Sequence, residues 1–204
     1  LFPDGLQGDI LNPYISQVGE YVDKMKKVVN HTKPVFMVLQ AFAWEMLKKK
    51  EERDTSMILY PGYKESRFMA FNAIVHGATG LVYWGSNYTP QPSSFMSGLN
   101  RVTRELSAMH EVLSSKNTNI NIHKTYHELG HSVDAGIEMI IKKVNGTCYL
   151  ITVNSDKNPV KVSLSGLKRF CSAEVMSEDR TIPIENGVLT DSYKPFDVHL
   201  YKLQ

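Results

Sequence analysis

The sequence predicts an α/β region with a parallel sheet, followed by an all-β region that folds as a small antiparallel β-sandwich. In the first half, helical apolar spacing alternates with two short apolar runs, in the order helix, strand, helix, strand, helix. From about Asp134 onward, short β-rich runs and tight turns replace this pattern. The 204 residues are 42% hydrophobic and 22% charged, which is enough apolar material for one medium domain or two small ones.

The first helix and strand follow from two patterns near the N-terminus. Asn12-Pro13 fits the N-cap and the first position of a helix, and apolar residues recur at helical spacing over residues 18–29. Residues 35–42 (VFMVLQAF) are apolar on both faces of a strand, which is typical of a covered parallel sheet. The charged stretch at residues 45–59 predicts a solvated connection.

A second helix and strand come next, and a third helix follows them. Tyr60-Pro61-Gly62 predicts a turn, and the helix after it ends at Gly77, which is free to adopt a positive φ. Residues 80–85 (GLVYWG) predict another short buried strand. Ser93-Ser94 predicts the cap of the third helix. The apolar stripe of that helix comprises Phe95, Leu99, Val102, Leu106, Met109, Val112 and Leu113.

The second half predicts strands joined by tight turns. Asn145-Gly146 and Asn186-Gly187 each lie between apolar β-rich runs, which is the strongest short-range signal for a hairpin. The polar stretch within residues 115–135 predicts a domain boundary, which divides the chain into residues 1–118 and 119–204. Six runs predict strands: Ile137–Lys143, Cys148–Val153, Val160–Leu164, Ala173–Met176, Ile182–Ile184 and Val198–Tyr201.

Charge and hydropathy exclude several classes of function. There are 23 Lys+Arg against 21 Asp+Glu and no basic stripe, so nucleic acid is not an expected partner. No apolar run approaches the roughly 18–20 residues that span a bilayer. The sequence contains no glycine-rich phosphate-binding loop and no Gly-x-Ser-x-Gly motif, which argues against nucleotide binding and serine-hydrolase chemistry. We expect no cofactor and no metal.

Two sequence features leave alternatives open. Cys148 and Cys171 both lie in the second half, where they either form a disulfide or remain free thiols in the core. His127-Glu128-Leu129-Gly130-His131 matches the zinc-binding pattern H-E-x-x-H, which requires a helix that holds both imidazoles one turn apart. Glycine costs about 1 kcal/mol inside a helix, and strand signals follow almost at once. A zinc metalloprotease is therefore a minor alternative.

Three blocks of the sequence resemble one family. They are residues 33–44 (KPVFMVLQAFAW), residues 65–84 (ESRFMAFNAIVHGATGLVYW) and the closing strands between residues 178 and 201. In this order they resemble (β/α)8 glycoside-hydrolase-like proteins with an appended C-terminal β-sandwich, many of them bacterial and secreted. The resemblance implies the last units of a (β/α)8 (TIM) barrel in residues 1–118 and the sandwich in residues 119–204.

The length of the chain does not accommodate a whole barrel. A complete barrel needs about 250 residues, whereas the α/β part here holds two clear strands and a candidate end of a third at Leu1-Phe2-Pro3. We expect the chain to be part of a longer protein. Because an open sheet edge promotes association, we also expect self-association or pairing with the missing barrel half. The resemblance implies a secreted, periplasmic or cell-surface location.

The residues after the two strands are the candidate site residues. Glu45 is the only carboxylate just past a strand end, which makes it the candidate catalytic residue, although a solvated loop position explains it equally simply. Most glycosidases need a second carboxyl group, which these strands do not supply. We expect Gln40, Phe42, Trp44 and Trp84 to bind substrate, since sugars pack on aromatic rings. The alternative is that both tryptophans are core residues.

The function that the resemblance implies is hydrolysis of O-glycosidic bonds, or recognition of a saccharide at the C-terminal mouth of the barrel. A non-catalytic carbohydrate-binding or structural module is the competing class. The expected partner is therefore a carbohydrate in both of the leading interpretations.

Overall fold

A computed structural model of the chain describes residues 14–204. The chain divides into two compact units, Leu1–Arg104 and Glu105–Gln204, which we call the N-terminal and the C-terminal unit. The expected strand end at Leu1-Phe2-Pro3 and the expected helix start at Asn12-Pro13 lie outside the described residues. The domain boundary after residue 118 stays a prediction.

The N-terminal unit alternates helices and strands in the predicted order. Short 3₁₀ turns lie within residues 44–57 and at Ser86–Tyr88, each just after a strand. Ser93 caps the third helix, because its Oγ accepts a hydrogen bond from the Met96 amide at 3.1 Å. The elements are α1 (Gln17–Val28), β1 (Phe36–Gln40), α2 (Tyr63–Val75), β2 (Gly80–Trp84) and α3 (Ser94–Ala108), whose last four residues belong to the C-terminal unit.

The strands β1 and β2 pair in parallel, as predicted, with Val38 opposite Val82 and Gln40 opposite Trp84. One face of this sheet packs on the helices, where Leu81 joins a cluster that includes Val22 of α1. The other face is apolar and exposed. Its side chains are Phe36, Val38, Val82 and Trp84, which are 64%, 56%, 47% and 50% exposed. Residues 14–204 contain these two parallel strands and no closed barrel, so the barrel itself is a proposal.

Close packing of α1 on α2 fixes one flank of this sheet. The Gly19 amide donates a 2.6 Å hydrogen bond to Asn72 Oδ1, and a side chain at position 19 would collide with His76. His76 Nδ1 lies 2.8 Å from Asp23 Oδ2, which joins the two helices again one turn further along. α1 is therefore held by specific polar contacts as well as by apolar packing.

The C-terminal unit is an antiparallel β-sandwich, as predicted. Its sheets have the strand orders β4-β5-β10-β7-β8 and β3-β6-β9. All six predicted strands are present with their ends shifted by at most two residues, and β3 and β9 were not among the six. The elements are α4 (His110–Ser114), β3 (His123–His127), β4 (Ile137–Val144), β5 (Thr147–Asn154), β6 (Val160–Ser165), β7 (Ser172–Val175), β8 (Arg180–Pro183), β9 (Val188–Tyr193) and β10 (Val198–Leu203).

The two predicted turns form, but only one of them makes a hairpin within a sheet. Asn145 and Gly146 both have positive φ and join β4 to β5, as in a type I′ turn. Asn186 and Gly187 also have positive φ, and Glu185 bridges to Val188 across them. However, β8 and β9 belong to different sheets. The pairing expected at the second turn is therefore wrong, because the chain passes there from one sheet to the other.

The space between the two sheets is filled by fully buried apolar side chains such as Leu150, Leu164 and Leu189. Cys148 is buried in this core, whereas Cys171 is exposed, and both are free thiols. The disulfide alternative is therefore wrong. No helix within residues 14–204 combines the length and the apolar character needed to cross a bilayer.

Candidate functional site

A cavity of about 330 Å³ in the N-terminal unit runs along β1 to the C-terminal ends of both parallel strands. Helices α1 and α2 contribute the remaining wall, and no lining residue carries a charge. All four predicted substrate-binding residues line it. The complete lining is Gln17, Val18, Tyr21, Met37, Val38, Leu39, Gln40, Phe42, Trp44, Met69 and Trp84.

Three aromatic rings form the wall of the cavity at the strand ends. The ring of Phe42 lies between the two indoles, with centroids 5.0 Å from Trp44 and 5.0 Å from Trp84, both edge-to-face. Phe42 is buried, while half of the Trp84 surface is exposed. Edge-to-face packing is the favoured geometry for aromatic pairs. Phe42 therefore fixes the orientation of both tryptophans.

The backbone at the end of β2 is shaped to admit the Phe42 ring. Gly85 has φ of +87°, and the nearest atoms to the place of a β-carbon there belong to Phe42, at 2.6 Å. Only glycine satisfies both the left-handed conformation and the close approach. A larger residue at position 85 would displace the ring that supports Trp44 and Trp84.

Gln40 supplies the polar group of the cavity beside the rings. Its Nε2 donates a 2.7 Å hydrogen bond to the Phe42 carbonyl, which fixes the amide at the end of β1. Gln40 is also the cross-strand neighbour of Trp84. A second donor, the buried indole N–H of Trp44, has no acceptor among residues 14–204. An unsatisfied buried donor costs about 1–3 kcal/mol.

Sequence reasoning missed three residues around this cavity. Gln17 and Tyr21 lie one turn apart on α1, and both line the cavity. Tyr88 lies outside the cavity, where its ring is 5.9 Å from that of Trp84. The i, i+4 spacing of Gln17 and Tyr21, and the aromatic residue four positions after Trp84, were signals that could have identified them.

Glu45 is not among the residues that line the cavity. It is 6% exposed, its Oε1 accepts a 2.7 Å hydrogen bond from the Asp54 amide, and its Oε2 lies 2.9 Å from Lys48 Nζ. The hydrogen bonds from Lys48 and from the Asp54 backbone hold the pKa of Glu45 below its usual value. Glu45 therefore stays ionised and ties together a loop that the sequence analysis described as solvated. Its catalytic role stays a prediction.

The H-E-x-x-H segment does not form a helix, so the zinc metalloprotease alternative is wrong. His127 ends strand β3, and Gly130 has φ of +82° within the irregular segment that follows. His127 Nε2 is 2.8 Å from Ser163 Oγ, and His131 Nε2 is 2.8 Å from the Pro159 carbonyl. The two imidazoles thus bind different parts of the sandwich. Residues 14–204 hold no group of three or more His, Cys, Asp or Glu side chains with metal-binding geometry.

A charged cluster in the C-terminal unit joins the two sheets of the sandwich. Asp191 of β9 accepts hydrogen bonds from Arg180 of β8 at 3.0 and 2.9 Å and from the Tyr201 hydroxyl of β10 at 2.7 Å. His199 Nδ1 of β10 lies 2.9 Å from the same carboxylate. We call Arg180, Asp191, His199 and Tyr201 the inter-sheet cluster.

The inter-sheet cluster shifts the pKa values of its members. Burial raises the pKa of Asp191, but hydrogen bonds from His199, Arg180 and Tyr201 outweigh it, so the pKa lies well below its usual value. Burial lowers the pKa of His199, but its contacts with Asp191 and Asp197 outweigh it, so the pKa is raised. These shifts favour an ion pair between a charged imidazolium and a carboxylate, which joins the two sheets.

Solved structures show that this fold occurs in glycoside hydrolases. The chain is similar to an α-amylase from Anoxybacillus, with a TM-score of 0.55 and 12% identity over 93% of this chain and 44% of that chain. It is also similar to an α-amylase from Geobacillus thermoleovorans solved with acarbose, with a TM-score of 0.56 and 10% identity over 92% and 42%. A structure of AmyP with maltotriose gives a TM-score of 0.54 and 9% identity over 91% and 45%.

No protein-family model matches the sequence, and no curated protein matches it. The chain spans less than half of the length of the three solved enzymes. At these identities the similarity shows the fold alone, and at that level it confirms the resemblance that the sequence analysis predicted. The chain has the fold of a segment of a glycoside-hydrolase-like protein.

Proposed function

We propose that this chain binds a neutral saccharide in the cavity at the C-terminal ends of β1 and β2. The observation that carries the proposal is the convergence of Trp44, Trp84 and Gln40 on one uncharged cavity. The apolar C–H face of a pyranose packs on an indole ring, and an amide at the ring edge hydrogen-bonds the hydroxyl groups. Phe42 acts in this proposal by positioning the two indoles.

Recognition is better supported than hydrolysis for this chain. Glycosidases usually use two carboxyl groups on either side of the scissile bond, and the cavity lining contains none. The carboxylate of Glu45 is engaged by Lys48 and Asp54. Hydrolysis, which the similar enzymes suggest for a longer protein, would therefore need carboxylates from βα units other than those in residues 14–204.

We also propose that the exposed face of the β1–β2 sheet pairs with further βα units that complete a barrel. Phe36, Val38 and Val82, which lie on that face before the strand end at Trp84, are between 47% and 64% exposed. Buried in a barrel interior, they would contribute about 25 cal/mol for each Å² removed from water. The resemblance to secreted glycoside-hydrolase-like proteins supports a secreted, periplasmic or cell-surface location, which belongs to the same proposal.

Calorimetric titration with maltotriose, cellotriose and xylotriose tests the binding proposal. We expect at least one of them to bind, and we expect Trp84→Ala to weaken that binding about tenfold or more, because it removes the exposed indole. Val82→Ala is the matched control, since Val82 lies on the same strand and face but does not line the cavity. Absence of binding to all three, or equal losses in both variants, would contradict the proposal.

A panel of chromogenic glycosides separates recognition from catalysis. We expect that neither the wild-type chain nor the Glu45→Gln variant hydrolyses any of these glycosides. Turnover that disappears in Glu45→Gln would show that Glu45 is catalytic and that the chain is more than a binding segment.

A further inference from the structure

A second aromatic surface adjoins the cavity on its solvent side. Tyr88 lies in the turn after β2, with its ring centroid 5.9 Å from that of Trp84 and the two planes at 43°. Trp84 is 50% and Tyr88 39% exposed, although both residues are large and apolar. Trp84 lines the cavity and Tyr88 does not. The pair therefore extends the aromatic wall from the cavity onto the surface.

The backbone holds Tyr88 in this place. Its amide donates a 3.0 Å hydrogen bond to the Gly85 carbonyl within the short 3₁₀ turn. The next residue, Thr89, is buried, and its Oγ1 donates a 2.8 Å hydrogen bond to the Ala41 carbonyl just beyond β1. The turn is thus fixed to the ends of both parallel strands, and the ring is presented by an ordered element.

The chain segment that contains Tyr88 and follows Trp84 is polar but uncharged. Residues 85–100 (GSNYTPQPSSFMSGLN) contain no Asp, Glu, Lys, Arg or His, in a chain that is 22% charged. Ser86, Asn87 and Gln91 are all exposed in this stretch. Exposed rings flanked by hydroxyl and amide groups match the chemistry of a neutral sugar, which presents one apolar face and a rim of hydroxyl groups.

We propose that Trp84 and Tyr88 form an outer platform for a second sugar unit, so that the site takes a neutral oligosaccharide rather than a monosaccharide. The proposal rests on the proposed binding function of the cavity and adds to it the length of the ligand. The first unit lies in the cavity against Trp44 and Trp84. The next unit of the same saccharide lies outside, against the exposed faces of Trp84 and Tyr88.

The test compares saccharides of increasing length on the full chain. Glucose, maltose, maltotriose, cellobiose and cellotriose are titrated against the wild type, Tyr88→Ala and Tyr88→Phe, with Tyr14→Ala as the control because Tyr14 is equally exposed and does not line the cavity. We expect a di- or trisaccharide to bind about three- to tenfold more tightly than its monosaccharide. Tyr88→Ala should remove that gain and leave glucose binding unchanged, while Tyr88→Phe and Tyr14→Ala retain it.

Other outcomes overturn this inference in distinguishable ways. Equal affinity for one and three units, or an equal loss for both in Tyr88→Ala, would overturn the outer platform and leave the cavity as a monosaccharide site. A change in self-association in Tyr88→Ala, with the length dependence intact, would identify the pair as a protein contact. Failure of every saccharide to bind would contradict the binding function itself.

Discussion

The two units of this chain differ in how far the apolar side chains of their sheets are buried. In the C-terminal unit, the apolar side chains of two antiparallel sheets face one another and are almost fully buried. In the N-terminal unit, the helices cover one face of a two-stranded parallel sheet, and the apolar side chains of the other face are about half exposed. The sandwich thus completes its own core, whereas the α/β unit leaves one apolar face of its sheet exposed.

The largest expected effect on stability comes from replacing a buried apolar residue of the sandwich instead of an exposed one of the β1–β2 sheet. Leu150→Ala removes a fully buried side chain from the sandwich core, and we expect it to lower the free energy of unfolding by about 2–5 kcal/mol. Val38→Ala, on the exposed face, should change it by less than about 0.5 kcal/mol. Urea unfolding of both variants measures the difference. Similar decreases in the free energy of unfolding in the two variants would contradict this difference between the units.

A smaller effect is expected from the inter-sheet cluster. Asp191→Asn leaves Arg180, His199 and Tyr201 with a neutral partner, and we expect the free energy of unfolding to fall by about 1–3 kcal/mol. Asp179→Asn is the matched control, because Asp179 is exposed on the turn before β8 and lies outside the cluster. Thermal unfolding followed by circular dichroism compares the two. A loss as large in Asp179→Asn would show that the cluster is not the cause.

The same cluster predicts how the stability of the sandwich depends on pH. Because the pKa of His199 is raised in the folded protein, the protonated imidazole stabilises the fold below about pH 6.5. This contribution is lost as the pH rises through the folded-state pKa. Because the pKa of Asp191 is lowered in the folded protein, its ionised carboxylate stabilises the fold above about pH 4. This contribution is lost as the pH falls through the folded-state pKa. We therefore expect the contribution of the cluster to be greatest between about pH 4 and 6.5. Unfolding of wild type and His199→Gln from about pH 4 to about pH 9 tests it, since the variant should lose the decline in stability above about pH 6.5.

The smallest expected effect on stability, but a clear one on association, concerns the exposed sheet face. We expect the wild-type chain to self-associate at high concentration, because apolar side chains and unpaired strand edges are exposed together. Val38→Lys places a charge on that face and should reduce the association with little change in unfolding. Light scattering across a concentration series measures it. A wild type that stays monomeric throughout would contradict the prediction.

The sequence predicted most elements for identifiable physical reasons. The apolar runs of β1 and β2 and the Asn145-Gly146 turn are strong local signals, and the structure agrees with them. β3 was missed because its five residues, HKTYH, show no apolar alternation and are mostly exposed. The pairing after Asn186-Gly187 was wrong because a turn fixes local geometry, while the sheet that each strand joins depends on the whole sandwich.

Only the part of the site that lies on the two parallel strands could be predicted from the sequence. Gln40 and Trp84 end parallel strands, so their proximity follows from strand register. The i, i+4 spacing of Gln17 and Tyr21 places them on one face of α1, but whether that face reaches the cavity depends on the packing of α1 on α2. The surroundings of Glu45 were also beyond the sequence, because Asp54 returns to it across a nine-residue loop.

Nuclear magnetic resonance of the labelled chain during titration with maltotriose and cellotriose shows directly whether a saccharide binds at the ends of β1 and β2. The chain has two tryptophans, Trp44 and Trp84, so two indole N–H signals report on the cavity. We expect a bound saccharide to shift both indole signals and the amide signals at the ends of β1 and β2, and to leave the amide signals of the sandwich strands unchanged. Unchanged indole signals, or shifts confined to the sandwich, would contradict it.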